Sequence, residues 1–258
     1  MKTHAVVFKE GVIVEMISFW RRTEVVFALA YALPTALVAG LLARNAPDEI
    51  VLFLSVTMMF FTTWGFSSVR SAQVMTNDYY MGTIAFDMLA NTPVGFALLG
   101  KVTGVVLIGA VSGCVAFAGV LLVSGTDIDN ALRALAVLAL TFPVAVAAIV
   151  ALCSTFAPLG LLLGSRPGWQ IAITPIGTAL SGFVIPPSRF IEPLNVLPFV
   201  LPTGWLSQGV WNLASSPSVG DYLIFMAGAL LVATAWVGAS VLFLGRVETR
   251  VRISGEIL

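Results

Sequence analysis

The chain has 258 residues and no net charge, with 59% hydrophobic and only 10% charged residues. Soluble domains carry about 25% charged side chains, so this composition, with a mean hydropathy of +1.00, excludes a water-solvated globular domain. The apolar residues form continuous runs reaching the roughly 20 residues that cross a bilayer. They do not alternate with period two, which excludes a lipid-facing β-barrel. The reading is an all-α, multi-pass membrane protein.

Residues 1–24 mix polar and apolar side chains. Lys9, Glu10, Glu15, Arg21, Arg22 and Glu24 interrupt any signal-peptide core, so no cleavable signal is expected. Ala5, Phe8, Val12, Met16 and Phe19 share a helical face, with Glu15 at its edge. The segment reads as an amphipathic helix lying in the membrane interface, or as a cytosolic helix packed on protein.

Apolar runs predict six spans, at about 25–43, 50–69, 102–123, 134–163, 169–186 and 222–245. The fourth carries Pro143 and Pro158, both candidate kinks. Residues 70–101 are the longest polar stretch between spans. A further apolar segment, 193–213, contains Pro193, Pro198 and Pro202, and each proline removes a backbone donor. A straight lipid-exposed helix there is costly. The outer segment 188–220 is therefore expected to be re-entrant or surface-lying.

Charge placement agrees with six spans. Lys2, Lys9, Arg21, Arg22, Arg70, Lys101, Arg166, Arg246, Arg250 and Arg252 then share one side, while Arg44, Arg133 and Arg189 lie opposite. The basic side faces the cytoplasm, so both termini are expected there.

No Asp, Glu, Lys, Arg or His falls inside the six predicted spans, which argues against ion-coupled secondary transport and against a channel. The single histidine, His4, leaves no histidine cluster for zinc or haem. Cys114 and Cys153 fall in apolar runs and read as small buried hydrophobes. Asp78 and Asp87 are nine positions apart, on opposite faces if helical, so they form no acid–base pair. Gly100-Lys101 is followed by Val102 and lacks a phosphate-binding loop. No catalytic constellation, resident cofactor or metal is expected, and no nucleic-acid partner. Small-residue pairs at Gly100/Gly104, Gly109/Gly113 and Gly160/Gly164 permit close helix contact.

The stretch Val74-Met75-Thr76-Asn77-Asp78-Tyr79-Tyr80-Met81-Gly82-Thr83-Ile84, then Met88-Leu89-Ala90-Asn91-Thr92-Pro93, then Leu99-Gly100-Lys101 resembles the cytoplasmic loop of ABC-2 type permeases, the membrane subunits of type V ABC exporters. Leu180-Ser181-Gly182-Phe183-Val184-Ile185-Pro186-Pro187, followed by Leu201-Pro202-Thr203-Gly204-Trp205, resembles that family's end of the fifth span and its re-entrant outer helices. The basic tail from Arg246 to Arg252, with Gly255-Glu256, is similar as well. The resemblance covers essentially the whole chain, with residues 25–258 as the transmembrane domain. It departs before Gly82-Thr83, where Asp78-Tyr79-Tyr80-Met81 stand in place of the family's usual Arg or Glu.

The resemblance implies a permease of a bacterial or archaeal cytoplasmic membrane, itself without enzymatic activity. A dimer of separate ATPase subunits would bind ATP and Mg. A second permease copy or a related chain would complete the route through the lipid bilayer. It places ATPase coupling at 70–101, with Asp78, Tyr79, Gly82, Thr83 and Asp87 as contacts in a helix around Thr76–Leu89. It places the substrate pathway on Thr57, Met58, Phe61 and Trp64 of the second span and on Thr174, Thr178, Ser181 and Phe183 of the fifth. Aromatics and methionines suit a hydrophobic or amphiphilic cargo such as a drug, antibiotic or lipid. The alternatives are export of a polysaccharide or lipid-linked glycan, an ion-coupled transporter, and a membrane enzyme or maturation factor.

Overall fold

The computed structural model describes residues 4–21, 24–81, 94–163, 167–216 and 218–254. Their regular structure is helical: α1 (His4–Arg21), α2 (Glu24–Ala43), α3 (Asp48–Tyr80), α4 (Val94–Ser124), α5 (Ile128–Leu163), α6 (Pro167–Leu180), α7 (Pro202–Ser215) and α8 (Val219–Ser254). Two 3-10 turns, Pro187–Arg189 and Leu194–Val200, lie between α6 and α7. Helices α3, α4, α5 and α8 are long and apolar enough to cross a membrane, the make-up of a helical membrane protein. The described part of α2 offers a shorter apolar stretch, Ala28–Ala43. Helix α6 has 14 residues, roughly 21 Å.

Several boundaries differ from the hydropathy reading. Helix α3 does not end near residue 69 but runs on to Tyr80, and α4 begins at Val94 rather than 102. Polar side chains end a hydrophobic run without ending a helix, and no Gly or Pro falls between Gly65 and Gly82 to do so. The described parts of 70–101 are thus largely helix; residues 82–93 lie outside the described residues. Of the helix expected around Thr76–Leu89, Thr76–Tyr80 is the end of α3. The fifth run stops early, at Leu180. The Ser181 amide and hydroxyl both donate to the Thr178 carbonyl (3.3 and 2.6 Å), and Gly182 turns the chain at φ +72°, a conformation open to glycine. Both prolines of the fourth run sit within one continuous α5.

The 193–213 segment divides in two. Its first half is the exposed 3-10 turn; its second half, α7, buries Leu206, Ser207, Val210 and Ala214 against α3, α5 and α8. Helix α7 is thus packed on protein along one face. Helix α7 runs antiparallel along the first half of α8. Gly209 meets Phe225 and Met226, Gly228 meets Trp205, and the Trp236 indole donates to the Val200 carbonyl at 3.1 Å.

Helix α3 is the hub, packing on α2, α4, α5, α6 and α7. Of its most apolar segment 83% is buried, against 22% for α8, whose Leu223, Ile224, Leu231 and Leu242 face outward. Helix α4 is the glycine-bearing strut beside it. A Cβ on Gly100 would lie 2.3 Å from the Phe8 carbonyl of α1, on Gly113 2.6 Å from the Met59 carbonyl of α3, and on Gly119 2.6 Å from Ala36 of α2. Gly160 of α5 would meet the Ala72 carbonyl of α3 at 2.0 Å. Removing Cβ brings backbones into van der Waals contact, the small-residue packing of membrane helices. The described pairs of the sequence reading thus seat neighbours within the chain; Gly164 lies outside the described residues. Helix α1 packs on α4 through Val7 and Gly11 and leaves Val6, Ile13, Val14 and Ile17 exposed.

Overpacking a close contact costs about 1–3 kcal/mol. Gly113→Leu should therefore lower the thermal unfolding midpoint of the purified protein in detergent by several degrees. Gly238→Leu, whose Cβ meets nothing within 4 Å, should leave it unchanged; equal midpoints would refute the seat.

Candidate functional site

The site is built on the middle of α3. Along this helix Ser55, Thr57, Thr62, Thr63, Ser67, Ser68 and Ser71 are all buried. A hydroxyl in an apolar interior needs an acceptor, and the helix supplies several. Thr57 donates to the Phe53 carbonyl (2.7 Å), Thr62 to Met58 (2.8 Å) and Thr63 to Met59 (2.8 Å). Others join helices: Ser68 and Thr174 of α6 share a hydrogen bond at 3.0 Å, and Ser240 of α8 donates to the Ser154 carbonyl of α5 at 2.7 Å. Among the described residues the fully buried polar side chains are hydroxyls and the amide of Gln208, and none is charged.

Two glycine seats shape the ground between α2, α3 and α6. A Cβ on Gly65 would strike the Tyr31 ring at 2.5 Å, so the ring of α2 lies against α3. A Cβ on Gly177 would strike the Trp64 ring at 2.5 Å, so the indole of α3 lies against α6. Because α6 stops at Leu180, the chain beyond it swings out, and an open cleft of about 500 Å³ remains. Tyr31, Phe61, Thr174, Pro175, Thr178 and Ala179 line it, with Val184, Ile185 and Phe190 from the segment after α6. Its volume falls in the roughly 300–1,000 Å³ range of small-molecule sites. The lining carries no charge, and the Thr174 hydroxyl is already engaged by Ser68.

Of the pathway residues predicted from sequence, Phe61, Thr174 and Thr178 meet at this cleft. The others pack behind it or beyond its end. Thr57 and Met58 are buried in α3; Trp64 is buried against Gly177 and Phe156 (ring centroids 5.7 Å apart). Its indole N–H has no acceptor among the described residues. Phe183 is wholly buried with its ring centroid 6.4 Å from that of Phe60, and the Ser181 carbonyl accepts from Ser207 of α7 at 3.0 Å. Tyr31, Pro175, Val184, Ile185 and Phe190 were missed. The readable signals were the one tyrosine of the first span and the glycines at 65 and 177.

Of the predicted coupling residues, Asp78 and Tyr79 lie at the far end of α3. Asp78 pairs with Lys101 of α4, Nζ to Oδ2 at 2.5 Å; Lys101 was read only as a topology marker and a motif residue. Tyr79 is in the last turn of α3. Gly82, Thr83 and Asp87 lie outside the described residues. Among the described residues no group of three His, Cys, Asp or Glu side chains is placed to hold a metal ion.

Compared with known proteins, the chain matches no family model and no curated protein.

Interhelical hydroxyl bonds in membranes contribute about 0.6 kcal/mol on average. A double-mutant cycle of Ser68→Ala and Thr174→Val, read by thermal or denaturant unfolding, should give a coupling near that size. Strict additivity of the two changes would mean that the bond does not hold α6 to α3.

Proposed function

We propose that the chain is the permease subunit of an ATP-driven exporter of the ABC-2 type, moving a hydrophobic or amphiphilic compound out of the cytoplasm or the inner leaflet. In this reading α2, α3, α4, α5, α6 and α8 are the six crossings, both termini are cytoplasmic, and α1 lies along the inner interface with its exposed Val6, Ile13 and Ile17 toward lipid. The segment 188–220 re-enters the membrane from outside. The contact of Val200 with Trp236 supports this, because Trp236 lies roughly 25 Å of helix from the start of α8 at Val219.

One observation carries the functional reading: the helices have a hydroxyl-rich but uncharged interior beside an apolar cleft. An ion-coupled carrier holds ionisable groups along its path; among the described residues the fully buried polar side chains are hydroxyls, one amide and the Trp64 indole, and none is ionised. The driving force must then come from outside the chain, from a separate ATPase subunit that supplies ATP and Mg and meets the cytoplasmic ends of α3 and α4. The cleft favours an apolar cargo over a glycan. A sugar requires many hydrogen-bond partners, whereas this lining offers three hydroxyl side chains, one of them already engaged. A second permease copy or a related chain would close the open side of the route. The chain itself has no catalytic role in this scheme.

The chain purified from its native membrane should bring down an ATPase with a Walker-type phosphate loop. Inverted vesicles holding the complex should accumulate the dye Hoechst 33342 with MgATP and be indifferent to a protonophore. Thr178→Trp, which fills the cleft, should reduce dye uptake at least threefold with the ATPase still bound. Uptake by the isolated chain under an ion gradient would sink the proposal.

A further inference from the structure

The dipeptide Gly100-Lys101 performs two separate tasks at one point. Gly100 is the seat of α1: a Cβ there would lie 2.3 Å from the Phe8 carbonyl, and one on Gly11 would lie 2.8 Å from the Ala97 carbonyl and 3.0 Å from the Lys101 amide. Backbone touches backbone, so α1 has no freedom to slide along α4 at this level. One residue on, Lys101 reaches the other way and pairs with Asp78 of α3 at 2.5 Å. The pair is partly buried, with 15% and 23% of the side chains exposed, so water screens it less than a surface pair. Asp78 sits two residues before the end of α3 and Lys101 in the second turn of α4. The ion pair therefore bridges the two helices that bracket residues 82–93.

We propose that Lys101 is a positioning residue that, beside the Gly100 seat, locks the Phe8–Gly11 part of α1, the end of α3 and the start of α4 into one body, so that a push delivered between α3 and α4 moves all three helices together. The functional half of this proposal rests on the permease reading; the mechanical half does not. A coupled machine needs such a junction, because a load applied between two independently sliding helices would separate them rather than move the span behind them. Gly109 and Gly113 seat α4 on α3 deeper in the bundle, and at the level of Gly100 the Lys101–Asp78 pair is the tie that carries this seat out to the end of α3.

The test uses the full chain in lipid nanodiscs with spin labels at Met81→Cys and Val14→Cys, both exposed positions. The background is Cys114→Ser, since Cys114 is exposed and Cys153 buried. The distance distribution between the labels should be narrow with the native pair and at least twofold broader in Lys101→Met and in Asp78→Asn. The two changes together should do no more than either alone, and the exchanged pair Asp78→Lys with Lys101→Asp should restore the narrow distribution. In the native complex the same variants should retain at least threefold less ATPase subunit on purification, again recovered by the exchange. An unchanged distribution in both single variants would overturn the proposal, as would additive effects or failure of the exchange to restore a folded, monodisperse chain. If Lys101→Met does not fold, Asp78→Asn carries the same comparison. If the native chain binds no ATPase at all, the permease reading fails while the distances still decide the junction.

Discussion

Everything distinctive in this fold depends on how closely its helices approach one another, and glycine sets that distance. In lipid the hydrophobic effect gives helices little reason to associate, so packing contact must hold them together. Helix α4 shows the arrangement most plainly: Gly100 faces α1, Gly113 faces α3 and Gly119 faces α2. Three neighbours are bound to one helix by turning a different glycine to each. Helix α3 receives the contacts from the other side and offers Gly65 to Tyr31. The hub is consequently dense, and what is not filled stands out as shape.

That density governs the chemistry of the interior. Side chains this close to backbone carbonyls find acceptors within their own helix, as Thr57, Thr62 and Thr63 do. The hydroxyls are largely internally satisfied and impose little polarity on the adjoining cleft. A cleft walled by Phe61, Pro175, Val184 and Ile185 recognises by shape and apolar area, and its energy scales at about 25 cal/mol per Å² removed from water. Such a site is permissive, because no fixed charge demands a counter-charge. In the proposed permease reading, an apolar cleft beside an interior without buried charge among the described residues calls for an outside source of directionality.

The class and most of the helices were legible in the sequence because composition and run length report burial in lipid directly. What hydropathy misplaced has physical causes. Residues 70–80 carry many polar side chains yet are helical, since no Gly or Pro breaks the helix and Ser71, Ala72, Val74, Met75 and Thr76 pack inward; α3 accordingly runs to Tyr80. The fifth run was read six residues too long, since Phe183 to Pro186 are apolar while the backbone has already turned at Gly182. The proline argument matches the 3-10 turns at Pro187–Arg189 and Leu194–Val200 but was blind to the regular helix that follows them. Pro202 stands at the first position of α7, where a missing N–H costs nothing. Three of the eight predicted pathway residues reach the cleft, because residue type suggests a lining while only side-chain direction decides it. Tyr31, Phe190 and the Asp78–Lys101 pair join elements far apart in the chain, and no local pattern encodes such meetings.

The shortness of α6 ties the two ends of the molecule together. At 14 residues it cannot cover the face of the 33-residue α3, so the remaining face is filled by α7, which returns alongside α8. The join between α6 and α7 is fastened by Ser207 donating to the Ser181 carbonyl and by Gly182, where any Cβ would meet the Ser207 hydroxyl at 2.5 Å. Helix α7 is held in turn at its far end by Arg133 of α5, whose guanidinium donates to the Ala214 carbonyl at 3.3 Å, a cation placed at a helix C-terminus where the dipole favours it. A full-length sixth helix would have sealed this face with a continuous wall and left no cleft. Division into two half-length pieces leaves a gap bordered by apolar segments, and the hydrogen bonds at the join keep the pieces in register. The interruption that confuses a hydropathy profile is thus the feature that gives the interior an opening.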